Sequence, residues 1–481
     1  MTNTMKLFFV NPPTIDGEKY IREGRCMQSV DSWAAIWPPL TLTILASIGK
    51  KYGDVRLLDC NVEDLSSDET LQEIVHFQPD IVVVNATFPS IDSDALFAKL
   101  VKDACGSALV VGFGVFFTLL EERSLRDTEG YDVAIVGEPE ETFDEFLSTF
   151  QKEGTVTPLR GLLWQEGDEI KKGDPRPLIQ DLDTIPMASR DLLKNERYTL
   201  PHNGHPFTLV NVARGCPYPC SFCIANIYYG KKIRHHSVDY VLNEIETCIT
   251  DHGIKDFLFW EEIFTLDKEF GTALCTEITR RGLAISWATT TRADQVNEQI
   301  LTVMKAAGCE LLGLGIESCS QKILDGAQKN ETVEQIKKAV ALCKKVGMPT
   351  MGHFIFGLPG ETEETAQETI RYITTSGIDY MQCYCAVPYP KTPLGEMAKE
   401  KGWLVAKRWS DYDFGGRSVM DIKTVSPDDV DRYRRTAFRK FYLRPGYMLR
   451  QIKRLSSLRQ LLQAAQFAKW MKSKPKKRKQ P

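Results

Sequence analysis

The chain has 481 residues, 43% of them hydrophobic and 26% charged, which suits a globular protein of two or three domains with sizeable cores. This composition excludes a disulfide-stapled miniprotein, a collagen-like fibre and a wholly disordered chain. The formal net charge of −4 hides a segregation: residues 432–481 hold 17 Lys and Arg and no acid, which leaves −21 on the first 431.

At the start, Lys6 precedes only the short run Leu7-Phe8-Phe9-Val10, which Pro12-Pro13 ends, so no signal peptide is expected. No stretch of about 18 apolar residues occurs, so no transmembrane helix is expected either. The 13 cysteines are odd in number and mostly lie singly in apolar patterns. That points to reduced thiols and a cytoplasmic location.

Over residues 1–150, strands are predicted at 6–10, 55–59, 81–85, 108–112 and 133–137. Helices are predicted between them, including 40–51 and 92–105. This alternation is α/β and predicts a doubly wound, Rossmann-like (flavodoxin-like) domain whose sheet is covered on both faces. Such sheets bind ligands beyond the carboxyl ends of their strands. Here those ends read Asn11-Pro12-Pro13, Asn61, Asn85-Ala86-Thr87, Gly112-Phe113-Gly114 and Gly137-Glu138. Small turn-forming residues admit a ligand closely, and they are equally the ordinary vocabulary of strand-to-helix turns.

Residues 151–200 are read as a connector. It contains a hairpin, 162–165 with 169–171 around Gly167-Asp168, and then Pro175, Pro177 and Pro186, which break regular structure. Residues 201–400 resume the alternation, with strands predicted at 208–212, 257–261, 285–290, 311–316, 350–356 and 381–387. The helical stretches between them often end at a glycine suited to a left-handed C-cap: Gly253, Gly282, Gly308, Gly347 or Gly377. Such units predict a partial (β/α)6 TIM-type barrel with its active site at the strands' carboxyl ends. Residues 401–481 are read as a helical region that ends in the basic tail.

The first barrel strand leads into Cys216-Pro217-Tyr218-Pro219-Cys220-Ser221-Phe222-Cys223, a CxxxCxxC loop. Three thiolates at these spacings suit three irons of a [4Fe–4S] cube and leave the fourth iron open. A zinc site is the competing reading, with His235 or His236 as a fourth ligand. Three unrelated buried thiols are the other. On the sixth predicted strand, Cys383 and Cys385 share one face. They are read as core cysteines, since two ligands are too few for a second cluster. Tyr384 and Tyr389 lie where a substrate could enter, and equally suit packing.

CxxxCxxC after the first strand of a partial barrel resembles the radical S-adenosylmethionine superfamily. The likeness continues in order. Phe259-Trp260-Glu261-Glu262-Ile263-Phe264-Thr265 resembles the second-strand motif that meets the amino group of the methionine moiety. Arg292, after Thr289-Thr290-Thr291, resembles the basic residue near its carboxylate. Gly315-Ile316-Glu317-Ser318 resembles the fourth-strand motif, with Glu317 near the ribose. His353-Phe354-Ile355-Phe356-Gly357-Leu358-Pro359-Gly360-Glu361-Thr362 resembles the fifth-strand signature around the adenine. The resemblance implies a [4Fe–4S] cluster on Cys216, Cys220 and Cys223. It implies reductive cleavage of S-adenosylmethionine to a 5′-deoxyadenosyl radical that abstracts hydrogen from substrate. An electron donor such as flavodoxin or ferredoxin follows as a partner.

A doubly wound domain before such a barrel resembles the cobalamin-binding members of the superfamily. Val10-Asn11-Pro12-Pro13, Trp37-Pro38-Pro39-Leu40, the stretch 114–118 and Gly137-Glu138-Pro139-Glu140-Glu141-Thr142-Phe143 fit their pattern. The likeness thus covers most of residues 5–400. It implies cobalamin held by Asn85, Thr87, Gly112, Gly114, Thr118 and Gly137. One departure stands out: many such domains carry a DxHxxG histidine that ligates cobalt, whereas the only histidine here is His76 on a predicted helix. Cobalamin is therefore expected without a histidine axial ligand. Phe113, Phe116 and Phe117 either wall the corrin or fill a vestigial pocket. Two reactions are implied, methyl transfer to a substrate carbon, or radical cyclisation, rearrangement or C–C bond formation. An iron–sulfur RNA modifier without cobalamin is a third reading.

In the tail, Arg450, Lys453, Arg454 and Arg459 alternate with Leu449, Ile452, Leu455, Leu458, Leu461 and Leu462, followed by Phe467 and Trp470. A basic amphipathic helix suits an anionic membrane surface. This favours a lipid or other small-molecule substrate and peripheral attachment to the cytoplasmic membrane face. A solvated tail is the plainer reading. No module with clustered RNA-stacking aromatics is found, so nucleic acid is not expected as a partner. Removal of residues from 448 onward is expected to weaken sedimentation with anionic vesicles while leaving the iron content intact. Equal vesicle binding by the truncated protein would end the membrane reading.

Overall fold

A computed structural model describes residues 4–15, 17–30 and 35–448. The amphipathic stretch of the basic tail lies outside the described residues. Two parallel β-systems, one after the other, build the molecule. The first begins with β1 (Met5–Asn11), followed by a hairpin of β2 (Tyr20–Glu23) and β3 (Cys26–Ser29). Then come β4 (Gly53–Asp59), β5 (Ile81–Asn85), β6 (Leu109–Phe113) and β7 (Val133–Ile135). The order β4-β1-β5-β6-β7 is parallel throughout. Every residue of β5 is buried, as an unbroken Val/Ile run requires when helices cover both faces.

Two features of this half differ from expectation. The hairpin β8 (Leu162–Glu166) and β9 (Glu169–Lys172) is hydrogen-bonded antiparallel to the edge of β7. The sheet therefore has seven strands and is mixed rather than purely parallel. The β2–β3 hairpin was not foreseen, because its short polar strands carry no alternation strong enough to mark them.

The second system holds β10 (Phe207–Asn211) and, flanking the cysteine loop, the short antiparallel pair β11 (Ala213–Arg214) and β12 (Arg234–His235). β13 (Asp256–Trp260), β14 (Ser286–Arg292), β15 (Cys309–Glu317), β16 (Thr350–Phe356) and β17 (Tyr380–Cys385) complete it. The order β10-β13-β14-β15-β16-β17 is parallel, the partial barrel that the spacing predicted. Buried and half-buried positions alternate along β16 and β17, as expected for strands with one face on the helices and one on the lumen. Gly308 shows why a glycine precedes β15: its φ is +90°, and a Cβ there would lie 2.1 Å from the Ile285 carbonyl oxygen.

Among the described residues, the C-terminal region is less helical than expected. Pro393–Glu400 and Pro427–Tyr442 are helices, and the chain between them is largely irregular. It returns over the N-terminal domain. Phe88 is fully buried and packs edge-on against Phe116, Tyr389 and Trp409, with ring centroids 5.2, 5.3 and 5.8 Å away. One continuous apolar cluster joins the first sheet, the barrel and this segment. Among the described residues no helix is long and apolar enough to cross a membrane.

Candidate active site

The carboxyl ends of both sheets face one junction, and the β2–β3 hairpin lies in it. The cysteine loop 216–223 leaves β11 and is tied back by a short ladder to β12. Arg214 and Arg234, opposite one another in that ladder, both reach Glu138 of the N-terminal domain. Arg234 Nη2 lies 2.8 Å and Arg214 Nη1 3.3 Å from Glu138 Oε1, and Arg214 Nη2 lies 2.6 Å from Glu140. All four side chains are buried. Burial pushes the Glu138 carboxyl up, but the Arg234 hydrogen bond and the charges of Arg214 and Arg234 outweigh it, and its pKa is lowered. Gly137 positions this glutamate at φ +87°, where a residue without Cβ carries no strain.

The three loop cysteines are half-buried and free. Burial is the largest effect on each thiol and raises all three, Cys223 to about 12. Cations oppose it from three sides. Arg25 acts on Cys216 and Cys223, and Lys329 and Arg292 act on Cys220. Arg292 Nη1 is 4.0 Å from Cys220 Sγ, and its guanidinium stacks 3.7 Å above the Tyr218 ring. Asp294 and the Asn330 carbonyl hold the other face of Arg292. Three thiolates on a [4Fe–4S] core leave net negative charge, so a loop ringed by three cations suits that group.

Zinc fits poorly. His236 is buried, hydrogen-bonded to Asp183 at 3.2 Å and stacked on Tyr240, while His235 stacks on Phe270. Neither turns to the cysteines. Among the described residues no group of three or more His, Cys, Asp or Glu is arranged around a single metal ion. The thiols of a cubic cluster stand farther apart than ligands of one ion. Cys383 and Cys385 are buried, with Met381 sulfur and the carbonyls of Asp413, Phe414 and Gly416 as neighbours. They are core cysteines, as expected.

Glu261 and Glu262 follow β13 at the barrel mouth. Glu261 accepts from Thr289, and burial raises its pKa to about 8, so it is largely protonated at neutral pH. Glu262 is paired with Arg25. Glu317 ends β15 at a register shift, in the left-handed region at φ +63°, and pairs with Lys329 at 2.9 Å. Such strain in a non-glycine residue is common at functional sites. Gly357 has φ +88° and donates its N–H to Glu361, whose carboxyl burial raises to about 8. Lys329 and Arg25 were missed by the sequence reading. Lys329 sits between motifs, and Arg25 lies some two hundred residues upstream of the barrel.

At the N-terminal strand ends, Asn11, Arg22, Asp59, Asn61 and Asn85 line a small pocket. Asn85, Thr87, Phe113 and Gly114 line a second, with Tyr228 from the barrel side. In the first, Asn11 Oδ1 and Arg22 Nη1 are buried without a hydrogen-bond partner, so the pocket offers an acceptor and a donor to a polar ligand. The amide-bearing edge of a corrin has that chemistry. Gly114, at φ +120°, lets the chain pass where a Cβ would meet the Ala86 carbonyl at 2.6 Å. Gly112, Thr118 and Gly137 do not line either pocket. Gly112 makes room for the Phe117 ring, and Thr118 Oγ1 bridges the Gly114 carbonyl and the Gly137 N–H. Phe116 and Phe117 are fully buried core residues and wall neither space. His76 lies on the helix Ser67–Phe77, away from the strand ends.

A family model described as the radical SAM superfamily matches residues 210–373, and one described as the B12 binding domain matches residues 30–147. An uncharacterized methyltransferase of Pyrococcus horikoshii is 34% identical over 93% of this chain and 95% of its own length. An anaerobic magnesium-protoporphyrin IX monomethyl ester cyclase of Cereibacter sphaeroides is 27% identical, over 92% of this chain and 71% of that protein. The solved structure of the cobalamin-dependent S-adenosylmethionine radical enzyme OxsB, with aqua-cobalamin and S-adenosylmethionine bound, has the same fold. Its TM-score is 0.75 at 15% identity, covering 98% of this chain and 71% of that one.

The buried charge cluster at the junction makes a direct prediction. Arg234→Met leaves Glu138 without its closest cation and is expected to destabilise the protein by about 3–5 kcal/mol, read from the urea midpoint. An unchanged midpoint would show that the cluster does not bind the two halves together.

Proposed function

Since the chain belongs to the cobalamin-binding radical S-adenosylmethionine enzymes, we propose that it transfers a methyl group to a carbon of a small-molecule or lipid substrate. The observation that carries this reading is the junction itself. The cysteine loop, the barrel-mouth carboxylates and the polar pocket of the N-terminal sheet all open on it. When bound, the cluster and S-adenosylmethionine supply a 5′-deoxyadenosyl radical by one-electron cleavage, and cobalamin supplies the methyl group.

The chain's residues do the rest. Cys216, Cys220 and Cys223 hold the cluster, and Arg25, Arg292 and Lys329 balance its negative charge. The Glu262 carboxylate and the Glu261 carbonyl accept the methionine ammonium, and Arg292 faces the carboxylate. Glu317, held by Lys329, meets the ribose. The 357–361 turn encloses the adenine, with Gly357 shaping its start. Asn85, Thr87 and Gly114 border the corrin, with Asn11 and Arg22 serving its amides, while Gly112, Thr118 and Gly137 shape the turns behind them. His76, the histidine of the N-terminal domain, lies on the helix Ser67–Phe77 and would take no part in holding cobalamin. The electron comes from a donor such as flavodoxin or ferredoxin. The basic tail, through its alternation of cations and leucines, favours work beside an anionic membrane on the cytoplasmic face.

A second reading, cyclisation or another bond rearrangement, is favoured by the relative named as a cyclase. The B12 binding domain match counts against an RNA modifier that lacks cobalamin.

The test is anaerobic purification with added hydroxocobalamin, then incubation with methyl-labelled S-adenosylmethionine, reductant and a metabolite extract. Methyl transfer predicts a corrin spectrum near one equivalent, about four irons per chain, and label in an organic product beside S-adenosylhomocysteine. Formation of 5′-deoxyadenosine without S-adenosylhomocysteine would move the assignment to cyclisation. Absence of bound corrin would overturn the role given to the N-terminal domain. Cys220→Ala is expected to lose the iron–sulfur absorbance and all cleavage of S-adenosylmethionine. Cleavage by that variant would refute the cluster assignment.

A further inference from the structure

The β2–β3 hairpin belongs to the N-terminal domain by sequence, and its tip lies in the mouth of the barrel. The strands pair from Tyr20 with Ser29 to Glu23 with Cys26, leaving Gly24-Arg25 as a two-residue turn. The turn is wedged in place. Gly24 has φ +48°, and a Cβ on it would lie 2.6 Å from the Tyr229 hydroxyl and 2.9 Å from the Trp260 ring. On the strand entering the turn, the Arg22 carbonyl accepts from Asn85 Nδ2 at 2.8 Å, and the Arg22 guanidinium pairs with Asp94 at 2.8 Å. The Thr41 N–H donates to Glu23 at 3.1 Å. A turn held in this way at Arg22, Glu23 and Gly24 sets the direction of the side chain that follows.

That side chain is Arg25. Its Nε is paired with Glu262, and its Nη2 donates to the Glu261 carbonyl at 3.5 Å and to Thr290 Oγ1 at 3.3 Å. The Trp260 ring lies 5.4 Å from the guanidinium carbon. A carboxylate, a main-chain carbonyl and a hydroxyl thus converge on a cation at the carboxyl ends of β13 and β14. The Glu262 side chain is only 5% exposed. Burial raises its pKa, and Arg25 is the cation that opposes this, by charge and by hydrogen bond. The other titratable groups in range are Glu261, the Cys26, Cys216 and Cys223 thiols, and the Tyr229 phenol, and none of them brings positive charge.

We propose that Arg25 is a positioning residue of the S-adenosylmethionine site, delivered across the domain boundary by the hairpin to hold the Glu262 carboxylate in place. This rests on the reading that Glu262 and the Glu261 carbonyl accept the methionine ammonium. Arg25 keeps Glu262 ionised and turned to the mouth, so the ammonium meets a formed acceptor rather than a neutral acid. Because Asn85 grips the same hairpin, the N-terminal pocket and the barrel mouth share one mechanical element.

The test uses the full-length, iron-loaded protein and equilibrium dialysis of S-adenosylmethionine between pH 6 and 9. Arg25→Ala is expected to weaken binding about tenfold or more near pH 6.5, the size of a one-unit pKa change, counted per iron-loaded chain. Without Arg25 the Glu262 pKa rises further, so affinity in the variant should recover as pH increases and fall as pH drops. Arg25→Lys keeps the charge and is expected to restore most of the affinity and flatten the pH profile. A purely structural role would not produce that rescue. Wild-type affinity in Arg25→Ala across the range would overturn the proposal, as would Arg25→Lys no better than Ala. If Arg25→Ala loses iron or fails to fold, Arg25→Lys against wild type decides. Substantially retained binding with a flat profile supports the proposal, and loss equal to a Glu262→Gln control overturns it. Failure of iron-loaded wild type to bind S-adenosylmethionine would instead overturn the parent reading, and this proposal with it.

Discussion

The arrangement depends on one buried cluster of opposite charges, Glu138 and Glu140 against Arg214 and Arg234. Such pairs gain little over an apolar contact once desolvation is counted, but losing one partner is costly because the other charge stays buried. The cluster therefore acts chiefly as a specification. It lets the two halves close in one register, with the strand ends of the first sheet opposite the cysteine loop. An apolar interface of the same area would resist sliding less. Here the two arginines stand in one two-residue ladder, so the contact that joins the halves also fixes both flanks of the loop carrying the thiols.

Packing completes what charge specifies. Phe88, at the carboxyl side of β5, meets rings from its own domain, from the loop after β17 and from the C-terminal segment. Buried aromatic contacts of this kind add to area burial through their edge-to-face geometry. The C-terminal chain thus clamps both halves from the outside, and the β2–β3 hairpin fills the junction from within. The pockets left beside the hairpin are polar and small, and the hairpin that borders them is also what holds Arg25 at the barrel mouth.

Most of the strand framework was legible because its signals are local. Apolar runs of five residues, glycines at helix ends and the CxxxCxxC spacing all lie within one window of sequence. β5 and β16 begin and end where the pattern placed them. What was not legible depends on distant pairing. Arg25 meets Glu261 from 236 residues away, and Glu262 beside it, across a domain boundary. Lys329 follows Glu317 by only 12 residues, but its role emerges only when the loop after β15 folds back over the strand end. The antiparallel β8–β9 pair read correctly as a hairpin, yet its docking on β7 is a tertiary choice of edge. The phenylalanines near Gly112 were ambiguous for the same reason. Their chemistry suits a ligand wall or a core, and burial assigned Phe116 and Phe117 to the core.

The electrostatics of the mouth follow from burying acids beside cations in unequal measure. Glu262 and Glu317 each have a cation within contact, whereas Glu261 has only a hydroxyl, and its pKa rises to about 8. The acid without a cation in contact is therefore the one whose side chain tends to stay neutral, and the paired Glu262 carboxylate and the Glu261 main-chain carbonyl are the acceptors left at the mouth. A carboxylate has two oxygens and about four lone-pair sites, so Glu262 can hold Arg25 through one oxygen and still take a further donor. Arg25 thus orients the acceptor without exhausting it.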